Sequence, residues 1–147
     1  MSEDTQEWPD LDPGEEDITN SSDACFRNVN PKFFVNGVLS SAAFMPTQND
    51  DGELSTARSS KVNPRQHYEE FTRRGLASSG VYSVTTDDIQ EADLRWIDND
   101  SLQEDSLRMT GHAYIDYRIY SSKGARKKRA RLLAHKATRV YSPDSTE

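Results

Sequence analysis

Gly111-His112-Ala113-Tyr114-Ile115-Asp116-Tyr117-Arg118-Ile119-Tyr120-Ser121-Ser122 is the stretch that decides the fold class. From His112 to Tyr120, the residues Ala113, Ile115, Tyr117 and Ile119 alternate with His112, Tyr114, Asp116, Arg118 and Tyr120. A period of two puts the two sets on opposite faces of a β-strand. Ser121 or Ser122 then offers a hydroxyl to cap a helix over roughly residues 123–139. Strand and helix in direct succession point to a mixed fold.

The segments upstream support that reading. Leu94 to Ile97 predicts a strand, and Asp98-Asn99-Asp100-Ser101 a turn. Thr85 or Thr86 caps a short helix over Asp87 to Ala92, whose first acids suit its positive end. Gly80 to Thr85 is rich in β-formers. Asn63-Pro64 starts a helix, with Asn63 as N-cap, Gln66 completing a capping box, and Gly75 as the stop. Asn36-Gly37 between Phe33-Phe34-Val35 and Val38-Leu39 predicts a tight hairpin. Ser41 to Met45 is expected as a short strand closed by Pro46, Thr47 to Gly52 as a loop, and Leu54 to Arg58 as another strand. Together these give an α+β fold: a small, mostly antiparallel sheet with two or three helices packed on one face.

Charge divides the chain into parts. Residues 1–24 hold nine acids and no base, and residues 123–139 hold eight Lys or Arg and no acid. The net charge of −7 therefore belongs to the first segment, since residues 25–147 sum to +2. Few large apolar side chains occur in residues 1–24, so they are expected to form a disordered acidic arm. Residues 25–141 form the expected single α+β domain, and residues 142–147 a flexible tail. Only 33% of residues are hydrophobic, which suits a folded body diluted by polar ends. One cysteine, Cys25, excludes an internal disulfide and a thiolate metal cluster. Met1-Ser2-Glu3-Asp4 offers neither the basic nor the apolar part of a signal peptide, and no apolar run reaches membrane length, so a soluble, cytoplasmic protein is expected.

Two constellations carry chemistry. On the last helix, Leu133 centres an apolar side, while Lys127, Lys128, Arg131, His135 and Arg139 fall opposite it as a cationic ridge for an anionic partner. On the 112–120 strand, the polar alternates could line a pocket, although successive members lie about 7 Å apart. With residues elsewhere they define a possible cluster of Arg27, Ser41, His67, His112, Asp116 and Arg118. An arginine there could hold a phosphate or carboxylate while an imidazole moves a proton. The three histidines have no ligand spacing, so no metal site and no cofactor is assigned. An EF-hand register on Gly52 would need acids at Thr47 and Arg58, and fails. Phosphate-loop and nucleophile-elbow motifs are absent, and Ser40, Ser41 or Ser55 with a distant histidine does not define a triad.

The segment Val38 to Thr47 (VLSSAAFMPT), followed by Asp50/Asp51-Gly52 and Leu54-Ser55, resembles a signature S-S-x-A-F-x-P-T…D-x-G-x-L-S of small bacterial proteins with no assigned activity. In those proteins a helix and a G-L-x-S-x-G-V strand follow, matched here by Gly75 to Val81. The resemblance spans about residues 27–85 and is weaker through the 112–139 strand and helix. It implies a bacterial domain and assigns no catalytic residue. The acidic arm and the dense basic helix depart from it.

Three functions remain. The sequence alone leans to a non-catalytic binding or regulatory module, whose basic C-terminal helix contacts a protein or other acidic macromolecule. The second is an enzyme acting on a small anionic substrate through a His/Arg/Asp cluster. The third is a nucleic-acid binder whose acidic arm covers its basic helix.

Overall fold

A computed structural model describes residues 7–47, 51–103 and 109–143. Among the described residues there are nine strands: β1 (Glu16–Asp17), β2 (Ala24–Asn28), β3 (Phe34–Val35), β4 (Val38–Leu39), β5 (Glu53–Arg58), β6 (Val81–Thr85), β7 (Arg95–Asp98), β8 (His112–Asp116) and β9 (Thr138–Tyr141). Three α-helices join them: α1 (Pro64–Thr72), α2 (Thr86–Glu91) and α3 (Lys123–Lys136). Seven strands make one antiparallel sheet in the order β1-β7-β8-β5-β2-β6-β9, and β3-β4 form a separate hairpin. This is an α+β architecture.

Local chemistry accounts for most element boundaries. Asn36 and Gly37 both take positive φ, as the two-residue hairpin turn requires. Asn63 accepts the Gln66 N–H at 2.8 Å, so the cap forms, but the Gln66 side chain turns to Glu70 instead of closing a box. Thr85 and Asp88 make a complete capping box on α2. Ser122 caps α3 by accepting the Ala125 N–H.

Neighbouring residues of each strand serve two layers. Cys25, Val84, Leu54, Ile115 and Trp96 point to the main core, which Ile89 of α2 and Ala130 and Leu133 of α3 close. Each large apolar side chain buried there contributes about 1.5–3 kcal/mol. Phe26, Ala57 and Val81 point the other way, where Tyr68 of α1 covers them. Two helices therefore share one face, and α1 takes the other. Cys25 is a packed core residue, and burial pushes its thiol up to about 12.

Three segments of the body differ from the sequence reading. Ser41–Phe44 is a 3-10 turn, not a strand. Arg27 Nε and the Tyr117 hydroxyl donate to its carbonyls, at Ala43 and Phe44, and so hold it in the turn. The strand from His112 stops at Asp116, because Asp116 Oδ1 accepts the Arg118 N–H and turns the chain. Helix α3 ends at Lys136, and Thr138–Tyr141 pairs with β6 as an edge strand. Arg139 therefore sits on β9 and not on the helix.

Residues 7–24 lie along the sheet instead of standing off as an arm. Glu16 and Asp17 pair with β7, and Ile18 is buried. Trp8 packs edge-on to Tyr120 and beneath Arg95, whose guanidinium also donates to the Pro9 carbonyl. Glu15 accepts from the Tyr114 hydroxyl at 2.8 Å. A few well-placed contacts offset the ordering cost that composition alone suggests is prohibitive. Residues 1–6 and 144–147 lie outside the described residues.

Candidate functional site

The site begins where two central strands part. β2 and β5 pair only at Cys25–Arg58 and Phe26–Ala57. Beyond that point the Ser55 carbonyl has no partner in β2. Arg27 fills the gap: Nη1 donates to Ser55 O and Nε to Ala43 O, both at 2.9 Å. The split leaves a cavity of about 210 Å³ on the α1 side of the sheet. Arg27, Asn28, Ser55 and His112 form its sheet wall. His67 and Phe71 of α1 face them, and Arg74, Leu76 and Met109 complete the rim.

Two strands place a serine against a histidine. In the β5–β8 register Ala57 opposes His112 and Ser55 opposes Tyr114, so Ser55 and His112 are diagonal neighbours on one face. The Ser55 hydroxyl lies 2.7 Å from His112 Nε2. On the far side of the ring, His112 Nδ1 lies 2.7 Å from Asn99 Oδ1. An amide oxygen accepts only, so Nδ1 carries the proton and Nε2 receives the serine's. Burial is the largest influence on His112 and holds its pKa below 6.5; Asp100 and Asp98 pull it up, and Arg74 pushes it down. A neutral imidazole hydrogen-bonded to a hydroxyl is a base ready to take that proton.

The end of β7 is held in place around this chain of bonds. Asp98 accepts from Arg58 at 2.6 Å and from Lys61 at 2.8 Å, and Arg58 also pairs with buried Asp23. Asp23 in turn accepts from Ser59 and Ser60. This ion cluster anchors the residue before Asn99 and so orients the imidazole.

His67 is the second histidine of the cavity. It is 5% exposed, and its Nδ1 has no hydrogen-bond partner among the described residues. Burial lowers its pKa to about 4; Glu70 opposes the shift, and Arg27 and His112 add to it. Arg27 and Arg74 bring two positive charges to the lining, and no carboxylate among the described residues lines it.

The six residues of the expected cluster separate into groups. Arg27, His67 and His112 meet at the cavity. Ser41 opens the 3-10 turn that packs beneath α3, on the other face. Asp116 and Arg118 bind each other at 2.8 Å, with Arg95 on the second Asp116 oxygen and Glu53 3.5 Å from Arg118. Burial would raise the Asp116 pKa, but the hydrogen bonds from Arg118 and Arg95 outweigh it and hold the carboxyl down. These two residues form a structural ion cluster. Ser55, Asn99 and Arg74, with Asn28, Phe71, Leu76 and Met109 of the lining, are site residues that the sequence reading did not select. Strand register alone brings Ser55 and His112 together, and no local pattern carries it.

On the other face, Lys127, Lys128, Arg131, His135 and Arg139 are all exposed. No ion pair among the described residues joins them to residues 7–24. Among the described residues no cluster of three His, Cys, Asp or Glu could hold a metal, and no helix is long and apolar enough to cross a membrane.

Fold and site together define an α+β protein on a seven-stranded antiparallel sheet, with a cationic cavity at a split between central strands. No protein-family model, no curated protein and no solved structure matches the chain.

Proposed function

We propose that the protein is an enzyme that cleaves a small anionic ester, with Ser55 as nucleophile and His112 as general base. The Ser55–His112–Asn99 chain, at 2.7 Å for each link, carries this reading. Ser55 Oγ attacks the acyl carbon and passes its proton to His112 Nε2. Asn99 holds the Nδ1–H and keeps the ring in that tautomer, while the charges of Asp98 and Asp100 favour the imidazolium that forms. The imidazolium then protonates the leaving alcohol, and water hydrolyses the acyl-serine by the same base. Arg27 and Arg74 supply the field that draws an anionic substrate into the cavity, and Phe71, Leu76 and Met109 give its apolar part a surface.

The test is covalent labelling of the full chain with a fluorophosphonate, read by intact mass. One adduct is expected on the wild type, none on Ser55→Ala, and labelling at least about 100-fold slower on His112→Ala. Among p-nitrophenyl esters, one carrying a free carboxylate should turn over faster than the neutral acetate. No adduct on the wild type, or the same adduct on Ser55→Ala, would refute the assignment.

A further inference from the structure

We infer that the outer face of α3 docks on the phosphate backbone of a nucleic-acid duplex. α3 turns Ala130 and Leu133 into the core, which places Lys127, Lys128, Arg131 and His135 on the outside. Arg139 extends the same side: its cross-strand partner is Tyr82, which packs against the core that α3 covers. Among the described residues none of the five has a carboxylate within ion-pair distance. The inner cations of the helix are used differently, since Arg126 Nε donates to the Tyr120 carbonyl and Arg129 lies 3.7 Å over the Tyr120 ring. Two of the chain's acids lie at the far edge of the sheet from Arg139. β1, with Glu16 and Asp17, and β9 are at opposite edges of the sheet.

The chemistry of the ridge suits a polyphosphate better than a protein. Stable protein interfaces deplete lysine and rest on buried apolar or aromatic anchors. Leu132 is the large apolar side chain exposed on α3, at 47%, and residues 123–140 contain no Phe, Tyr or Trp. The same lack of aromatic platforms disfavours single strands, whose bases are held by stacking. A 14-residue helix is about 21 Å long. A duplex presents a negative charge about every 1.7 Å of axis, so phosphates face the whole ridge. This surface lies across the sheet from the Ser55 cavity and does not depend on the reaction proposed there.

The experiment is fluorescence anisotropy of the full chain with a labelled duplex DNA of about 20 base pairs, from 50 to 200 mM salt. Four permanent cations at the ridge give an expected slope of about −3.6 in log K against log salt, or about 100-fold weaker binding across that range. Lys127→Gln with Arg131→Gln should lower the slope by about two, and charge reversal at Lys127, Lys128 and Arg131 should abolish binding. Both variants should keep the wild-type thermal melt, since these side chains are exposed. Absence of binding at 50 mM salt, or affinity unchanged by charge reversal, would overturn the inference. Tighter binding to polyglutamate than to the duplex would overturn it in favour of an acidic protein partner, and tighter binding to the single strand would overturn the duplex assignment.

Discussion

Asn99→Asp is the sharpest probe of the site, because it changes one group and leaves the shape almost intact. Asn99 Oδ1 lies 2.7 Å from His112 Nδ1. A carboxylate there puts its charge about 4–5 Å from the centre of the imidazolium. At an effective dielectric of about 20, that is worth about 3–4 kcal/mol. One pKa unit corresponds to about 1.4 kcal/mol, so the shift is about 2–3 units upward, within the range known for close opposite charges. In the wild type, burial holds His112 below 6.5. In the variant its pKa should rise by that amount from its depressed value, so the ring is protonated up to a higher pH than in the wild type. A protonated Nε2 donates and can no longer accept from Ser55. The acid limb of the fluorophosphonate labelling profile should therefore move up by about 2 units. Histidine NMR titration reads the same pKa directly, with His112→Ala assigning the resonance. Linkage adds a second readout: a raised histidine pKa stabilises the variant relative to wild type at low pH, and that gain is lost as pH rises through the new pKa. A shift under about half a unit would mean that the Asn99 contact does not form, and the mechanism built on it would fall.

The other predictions concern stability. His67 is buried with a pKa of about 4, against 6.5 when exposed, so the unfolded chain binds more protons between those values. This group by itself should cost about 3 kcal/mol of stability to urea as pH drops from 7 to 4, and His67→Leu should show a slope shallower than wild type by that contribution. An unchanged slope in the variant would contradict this. Asp116→Ala strips the fully buried partner from Arg95 and Arg118, and should cost about 3–5 kcal/mol in urea unfolding. A loss under about 1 kcal/mol would show that Glu53, Trp8 and Tyr114 suffice to hold those arginines. Gly80 has φ +140°, and a Cβ there meets the Tyr141 carbonyl. Gly80→Ala should cost about 1–3 kcal/mol and speed amide exchange across Thr138–Tyr141, and protection equal to wild type would refute the strain.

Much of the fold could be read from short-range signals. The Asn36-Gly37 hairpin, the Asn63 and Thr85 caps and the alternation from His112 all act within a few residues, where steric and hydrogen-bond rules are local. The misreadings share one cause. Ser41–Phe44 has the composition of a strand, yet Arg27 and Tyr117 hydrogen-bond its carbonyls and make it a turn. Thr138–Tyr141 continues the helical pattern of α3, but an open strand edge at β6 competes and wins. Trp8, Glu15 and Ile18 look too sparse to order residues 7–24, and they succeed because Tyr120, Tyr114 and β7 await them.

The same division holds for the site. By itself the sequence determined the residue types: a basic helix with an apolar inner side, a histidine on a strand, and arginines far apart in the chain. Tertiary structure decided which of them meet. Ser55 and His112 are 57 positions apart, and they touch because β5 pairs with β8 in one register. A slip of one residue would turn Ser55 into the opposite layer, because side chains alternate across a strand. Asp116 and Arg118, two positions apart, bond each other and leave the cavity to Arg27, His67 and His112. Local order is set by neighbours in the chain, whereas a site is set by strand pairing, and pairing is a property of the whole sheet.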